Sequence, residues 1–319
     1  MSIFSKETRT LMIPSRGAQD AAGKAKNSWH LTMLRLRRDP ASIASAVVTL
    51  LIVLFALGAP LIAQWTGHGP TEQFRENGLS SSGMPVPPNG EFLLGTDQLG
   101  RDVLVRLAYG AQVSLLVGVV ASLAAAVIGI VVGMIAGFFG GVVDTVLSRV
   151  IDLVMSVPFL LVAIATVSVI GPSLQLSIAV IVFFTWAGLA RVIRGQVLAL
   201  REREFIEAAR SLGESRISMM FRDILPNLVV PIVVYTTLMI PAAIVFEATL
   251  SFLGLGIVPP TPSWGNMLAD AANGSMYMVA PWMVLVPGLA LLTLTLAFNL
   301  LGDGLRDALD PSSSKGAKS

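Results

Sequence analysis

The sequence of 319 residues contains no cysteine. This absence excludes disulfide bonds, thiolate metal sites and cysteine nucleophiles within the chain. Charged residues are also scarce, at 13% of the chain, whereas soluble globular domains carry about 25%. Since 54% of the residues are hydrophobic, the composition argues against a soluble globule and indicates a membrane protein.

The chain also lacks the motifs of common catalytic sites. It has no G-x-x-x-x-G-K-[ST] loop for phosphates, and neither a Ser/His/Asp set nor paired carboxylates are placed for catalysis. We therefore expect no enzymatic activity, no cofactor and no metal site. His30 and His68 lie far apart in polar segments and are expected at the surface. Acidic and basic residues nearly balance, so nucleic-acid binding is not expected.

Long apolar runs are abundant, and most are about as long as a bilayer is thick. We predict six transmembrane helices, at 41–64, 111–139, 142–169, 176–189, 228–250 and 279–301. The first is expected to be an uncleaved helix because the polar segment before it is too long for a signal peptide. Pro158 is expected to kink the third helix.

The polar segments suggest how the chain is organised. We predict a basic tail, a first transmembrane helix, an external loop, a helical core and a polar tail, at 1–40, 41–64, 65–107, 108–302 and 303–319. Of the 22 lysines and arginines, eight lie in the first tail, seven in residues 190–222 and three in the last tail. Because basic residues mark the cytoplasmic side, both termini are predicted to be cytoplasmic.

Small residues recur at four-residue intervals in the second predicted helix. The glycines of this series are Gly129, Gly133, Gly137 and Gly141. They leave one face of the helix almost without side chains, which lets another helix approach closely. The pattern therefore predicts a helix-packing seam, although glycine is also common in membrane helices generally.

Residues 201–227 form a long, charge-dense polar stretch between two apolar runs. Such a stretch cannot lie in hydrocarbon, so we predict a cytoplasmic loop over 200–227. Its pattern predicts two short helices joined by a turn. The first helix is predicted to carry one apolar stripe at i, i+4 and i+7, formed by Phe205, Ala209 and Leu212. A solvated amphipathic loop without a partner is the simpler alternative.

Glycine, proline and one charge pair predict the details of this loop. Gly213 is expected to end the first helix in a left-handed conformation. Pro226 is expected to end the second helix and to bias Leu225 away from helical conformation. Arg210 and Glu214, four residues apart, are expected to form a weak ion pair.

The sequence Glu207-Ala208-Ala209, followed by Gly213 and then Leu225-Pro226, resembles the EAA loop in the membrane subunits of ABC importers. Three further blocks lie at 94–118, 247–267 and 299–311 and read LGTDQLGRDVLVRLAYGAQVSLLVG, EATLSFLGLGIVPPTPSWGNM and NLLGDGLRDALDP. Together they resemble the C-type permease subunit of oligopeptide and dipeptide ABC importers, from about residue 35 to residue 311.

The resemblance implies an all-α membrane protein with the six-helix type I importer permease fold, in a bacterial inner membrane. It implies contact with ATPase subunits through Glu207, Ala208, Ala209, Arg210, Gly213, Leu225 and Pro226. Its implied partners are a homologous second permease, two ATP-binding subunits that hold ATP and Mg²⁺, an external peptide-binding protein and membrane lipid. The matched motifs are architectural and identify no residue that contacts the solute.

Other functions remain open at the level of sequence. A nickel or other solute permease of the same family would share these blocks. A secondary transporter driven by an ion gradient would need ionisable residues in the middle of its spans, whereas Glu247 lies near the end of one. A membrane-embedded enzyme would need a catalytic constellation that the sequence does not offer.

Overall fold

The structure is a computed structural model and describes residues 39–309. This part of the chain is helical and contains no β-strand beyond two isolated bridges. Its α-helices are α1 (Pro40–Leu57), α2 (Ala59–Thr66), α3 (Val103–Phe139), α4 (Gly141–Ser156), α5 (Phe159–Ile170), α6 (Leu174–Leu200), α7 (Glu204–Ser211), α8 (Arg216–Met219), α9 (Leu225–Phe252), α10 (Trp264–Ala272) and α11 (Trp282–Leu309). The remaining tail residues, 1–38 and 310–319, lie outside the described part.

The first predicted span is two helices in the structure. Asp39 caps α1 by accepting hydrogen bonds from the backbone N–H groups of Ala41 and Ser42. The helix ends at Leu57, and α2 starts after Gly58 with a proline in its first turn. Because Pro60 has no N–H and its ring crowds the preceding turn, one regular helix over 41–64 is interrupted here.

Helix α3 is longer than its apolar run. It begins at Val103, before the predicted start at residue 111, and runs for 37 residues. Asp102 caps it, because Asp102 Oδ1 accepts from the N–H groups of Leu104 and Val105 at 2.8 and 3.3 Å. The loop predicted over 65–107 is therefore shorter and covers residues 67–102.

The third predicted span breaks at Pro158, where the sequence predicts a kink. Val157 and Pro158 are extended, and α4 and α5 meet there at 81°. By length and composition, five helices or continuous helical segments of the described chain could cross a membrane, and a sixth span follows if α4 and α5 count as one.

Pro226 does not end a helix, which contradicts the sequence prediction. A five-residue π-helical turn, Met220–Ile224, joins α8 to α9, and the N–H of Leu225 bonds to Met220 O. Leu225 is itself helical, with φ −56° and ψ −42°. Pro226 then lies in the first turn of α9, where a missing N–H removes no helical hydrogen bond. The helical path is therefore continuous from residue 216 to residue 252.

Helix α3 is the centre of the bundle. It packs along α6 and also contacts α9, α1 and α4, while α11 packs against α1, α9 and α10. The last helix extends to Leu309, so residues 303–309 of the predicted polar tail continue the helix of the preceding span.

Candidate coupling surface

The short helix α7 is anchored by one buried residue that the predicted stripe omits. Ile206 is fully buried and packs with Ile193 of α6 and Ile224 of the π-helical turn. Phe205 and Leu212 are instead 43% and 87% exposed. Two of the three residues of the predicted stripe therefore face outward, and the main core contact is made by Ile206. The periodicity alone could not decide this, because apolar residues lie on both faces of α7.

The turn after α7 is built as the sequence predicts at Gly213. Its φ is +78°, which confirms the left-handed conformation. The N–H of Glu214 bonds to Ala209 O at 3.1 Å, the hydrogen bond that closes a Schellman motif. The predicted Arg210–Glu214 ion pair does not occur among the salt bridges of residues 39–309. Glu214 Oε1 instead accepts from Ser218 Oγ at 2.5 Å.

The residues of the EAA-like segment divide between surface and interior. Glu207, Ala208 and Arg210 are exposed, and Ala209 is half-buried against the cluster around Ile206. Gly213 is exposed at the turn. Leu225 is half-buried in the same cluster, whereas Pro226 is exposed on α9.

Exposed apolar side chains accompany these residues in the segment that contains α7. Besides Phe205 and Leu212, Ile217 and Phe221 are exposed by 67% and 61%. We call Phe205, Glu207, Ala208, Leu212, Ile217 and Phe221 the coupling surface. Its mixture of large apolar and charged side chains is typical of a surface that another protein covers.

The glycine seam packs against α6 of the same chain. A Cβ atom would stand 2.9 Å from Trp186 O at Gly129, 2.6 Å from Ala190 O at Gly133 and 2.7 Å from Val197 Cβ at Gly137. The backbones of α3 and α6 therefore approach too closely for a side chain at these positions.

Gly141 does not belong to the seam, contrary to its place in the sequence pattern. It begins α4 with φ +54°, and no atom lies within 4 Å of its Cβ position. The four-residue interval continues into Gly141, but helix α3 ends at Phe139 and the chain turns at Gly140.

Arg201 links the end of the seam to the segment before α7. Its Nη1 donates to Gly137 O at 3.1 Å, one of the last carbonyls of α3. An arginine at this place satisfies a carbonyl that the helix end leaves without a partner. The seam, Arg201 and α7 therefore form one continuous packed unit.

His68 is buried, which contradicts its predicted place at the surface. Its Nδ1 lies 2.6 Å from Asp102 Oδ2, and its ring stacks on Phe92 at 4.9 Å. Phe74 contacts both rings. One carboxylate oxygen of Asp102 thus caps α3, and the other contacts His68 Nδ1. The two partners are 34 positions apart in the chain, so the sequence gives no local signal of this contact. His30 lies outside the described residues.

An ionic cluster fastens the loop 67–102 to α10. Arg101 bonds to Asp97 at 2.6 Å and to Asp270 at 2.8 Å, and Arg106 lies 3.2 Å from Asp97. Burial raises the pKa of the Asp270 carboxyl above its ordinary value, although Arg101 and Arg106 act in the opposite direction. The sequence gives no signal of this cluster, because Asp270 is remote from Arg101 along the chain.

Glu247 is a fully buried residue of α9. Its carboxyl group accepts from Ser114 Oγ of α3 at 2.9 Å and from Ser251 Oγ at 2.7 Å. These bonds join two helices, so the residue has a packing role that its sequence position does not reveal.

Comparison with known proteins identifies the family. Residues 129–315 match the family model of the binding-protein-dependent transport system inner membrane component, and residues 27–80 match the N-terminal TM domain of oligopeptide transport permease C. A structure titled inward facing conformations of the MetNI methionine ABC transporter has a TM-score of 0.52 at 20% identity, covering 64% of this chain and 96% of that chain. This likeness supports the predicted permease fold.

Individual relatives extend the match over most of the chain. The oligopeptide transport system permease protein OppC of Salmonella typhimurium is 42% identical over 288 residues, 90% of this chain and 92% of the relative. The glutathione transport system permease protein GsiD of Shigella dysenteriae is 40% identical over the same length and coverage. The chain therefore belongs to the binding-protein-dependent transport system inner membrane components, as a multi-pass permease of the oligopeptide permease C type.

Proposed function

We propose that this chain is the C-type permease subunit of an ATP-driven importer of short peptides. The relatives that support the substrate class transport oligopeptides and glutathione by their names, and glutathione is itself a small peptide. The chain would form the translocation path with a homologous second permease. An external peptide-binding protein would deliver the substrate, and two partner subunits would hydrolyse ATP with Mg²⁺.

The observation that carries this proposal is the construction of the coupling surface. Large apolar side chains are exposed on and after α7, while Ile206 fixes the helix to the bundle. A partner that binds Phe205 and Leu212 would therefore move α7 together with the core beneath it. The charged residue Glu207 lies at the same surface and would set the orientation of the partner.

The packed unit of the glycine seam, Arg201 and α7 indicates how movement would be transmitted through the subunit. Movement of α7 would act on α6 through the buried cluster and on α3 through Arg201 and the glycine seam. The closed ATPase dimer would thus shift α6 and α3 together and open the path to the other side. With this mechanism both termini and the coupling surface lie in the cytoplasm, and the loop 67–102 faces the binding protein.

Co-purification followed by an ATPase assay tests this function. We expect the chain to bring down a second permease and ATP-hydrolysing subunits, and a peptide-loaded binding protein to stimulate hydrolysis. Stimulation by a nickel-loaded binding protein in place of peptide would assign the subunit to a nickel importer. Purification of the chain alone, with solute movement driven by an ion gradient, would overturn the proposal.

A further inference from the structure

A charged cavity lies between α4 and α6, separate from the coupling surface. Its volume is about 340 Å³, and its polar lining includes Asp144, Ser148, Arg149, Asp152, Arg191 and Arg194. Three guanidinium groups and two carboxylates therefore share one opening. This composition leaves one positive charge in excess.

Both carboxylates are already held by arginines of α6. Arg194 donates to the two oxygens of Asp144 at 2.5 and 2.8 Å, and Arg191 donates to Asp152 Oδ1 at 2.7 Å. Bidentate and short contacts of this kind are the strong form of an ion pair. The excess charge consequently belongs to Arg149.

Within residues 39–309, Arg149 has only a distant contact with a carboxylate. Its Nη1 lies 3.9 Å from Asp152 Oδ2, and its side chain is 82% exposed. Arg149 thus makes only a long contact with Asp152, because Asp152 bonds to Arg191 instead. A guanidinium group in this state has its planar donor fork available for another anion.

The position of the cavity restricts what can cover it. Helix α4 is the first half of a broken span with α5, and charged side chains within a span face protein or a water-filled cavity rather than lipid. Arg149 lies about 12 Å along α4 from its first residue. Its partner helix α6 leads through Leu200 to α7, so the cavity is in the half of the bundle next to the coupling surface.

We propose that Arg149 binds the free C-terminal carboxylate of the transported peptide in this half of the translocation path. The inference rests on the proposed function, since it takes the substrate to be a peptide. Arginine and carboxylate match in charge and in bidentate geometry. The peptide amine finds no equivalent partner, because Asp144 and Asp152 are occupied by Arg194 and Arg191. The site therefore recognises one end of the peptide.

Transport of one peptide as its free acid and as its C-terminal amide tests the inference. The complete transporter with its binding protein is reconstituted with wild-type chain, Arg149→Gln, Arg149→Lys or the control Arg306→Gln, an exposed arginine of α11. We expect Arg149→Gln to lower the ratio of free-acid to amide transport about tenfold, the effect of one charge-assisted contact. Arg149→Lys should retain part of the ratio, and Arg306→Gln all of it.

Comparing the ratio of free-acid to amide transport among the four preparations separates the effect of Arg149 from the preference of the binding protein. Any preference of the binding protein for a free carboxylate is the same in all four preparations and cancels between them. An unchanged ratio in Arg149→Gln, with both peptides still transported, would overturn the inference and leave the proposed function intact. Failure of the wild-type transporter to move either peptide would instead overturn the proposed function.

Cross-linking gives a second measurement that does not depend on transport rate. Since the chain has no cysteine, Thr145→Cys introduces one defined thiol into this subunit and leaves Arg149 in place. Thr145 is exposed, lines the same cavity and lies one helical turn from Arg149. Peptides carry a thiol-reactive group on a side chain beside either the C-terminus or the N-terminus. We expect attachment at position 145 with the C-terminal reagent, whereas equal attachment of the two reagents would count against the site.

Discussion

Gly213 combines a left-handed backbone with open space around it. Its φ is +78°, and no atom lies within 4 Å of the position that a Cβ would take. A substitution therefore changes the energy of the backbone without crowding any neighbour. Gly188 of α6 offers the opposite case, with equally open space in a regular helix.

We predict that Gly213→Ala weakens the turn after α7 by about 1 kcal/mol, the cost of placing an L-residue in the left-handed region. ATP-dependent peptide uptake should fall while the amount of inserted protein stays the same. Gly188→Ala is the matched control and should be neutral or slightly stabilising. Equal uptake by the two variants would show that the turn geometry does not matter for coupling.

Glu207 provides a test of charge at the coupling surface. We predict that Glu207→Arg abolishes peptide uptake and co-purification of the ATPase subunits, because a reversed charge opposes docking of the same partner. Membrane insertion and thermal stability should be unchanged, since the side chain is exposed. Glu76→Arg makes the same charge change at an exposed position of the loop and should keep the ATPase subunits bound.

At the scale of elements, the pairing of α3 with α6 is the contact that most depends on glycine. At Gly133 a methyl group would stand 2.6 Å from Ala190 O and 2.8 Å from Ile193 Cβ. Neither atom is the flexible end of a side chain, so the two helices have to separate. Gly195 of α6 has no atom within 4 Å of its Cβ position.

We predict that Gly133→Ala destabilises the protein by about 1–3 kcal/mol through overpacking. Thermal unfolding in detergent should show a lower Tm, whereas Gly195→Ala should leave Tm unchanged or raise it slightly. A Gly133→Ala variant with the wild-type Tm would mean that α3 and α6 adjust their distance without cost.

The elements also show which features can be predicted from sequence. Composition and run length locate the apolar spans, and the break at Pro158 and the left-handed Gly213 follow from local backbone chemistry. The burial of Ile206, and not of Phe205, depends on the tertiary positions of α6 and the π-helical turn, against which Ile206 packs. Pro226 was misjudged because its position in a helix, rather than its identity, decides whether the helix ends.

The site residues follow the same division. The spacing of Glu207, Ala208, Ala209 and Gly213 is visible in the sequence, because these residues are neighbours along the chain. The contacts of His68 with Asp102 and of Asp270 with Arg101 join residues that are remote in sequence. Only the folded chain brings these ionisable groups together.

At the scale of the whole molecule, the ionic cluster attaches the loop 67–102 to the helix bundle. Asp270 contributes the only carboxylate of α10 to this cluster, and its side chain is 21% exposed. Removing its charge leaves Arg101 and Arg106, both buried, with Asp97 alone. The loss of this charge therefore weakens the contact between the loop 67–102 and α10, and not a single helix.

We predict that Asp270→Asn lowers the free energy of unfolding by about 3 kcal/mol, the usual cost of breaking a buried ion pair. Limited proteolysis should cut the loop 67–102 faster than in the wild-type protein. Asp303→Asn, at an exposed position of α11, provides the control and should leave the cleavage rate unchanged. Equal cleavage of both variants would indicate that the packed rings of His68, Phe74 and Phe92, and not the ionic cluster, hold the loop in place.

The length of α3 has a consequence for communication across the protein. At 37 residues the helix is about 55 Å long. One end is capped by Asp102, which also binds His68 of the loop, and the other end receives Arg201 from the segment before α7. The loop 67–102 and the segment before α7 thus contact opposite ends of one rod. Under the proposed function, a tilt of that rod would displace both ends at the same moment, so α3 itself would carry movement from the coupling surface to the loop.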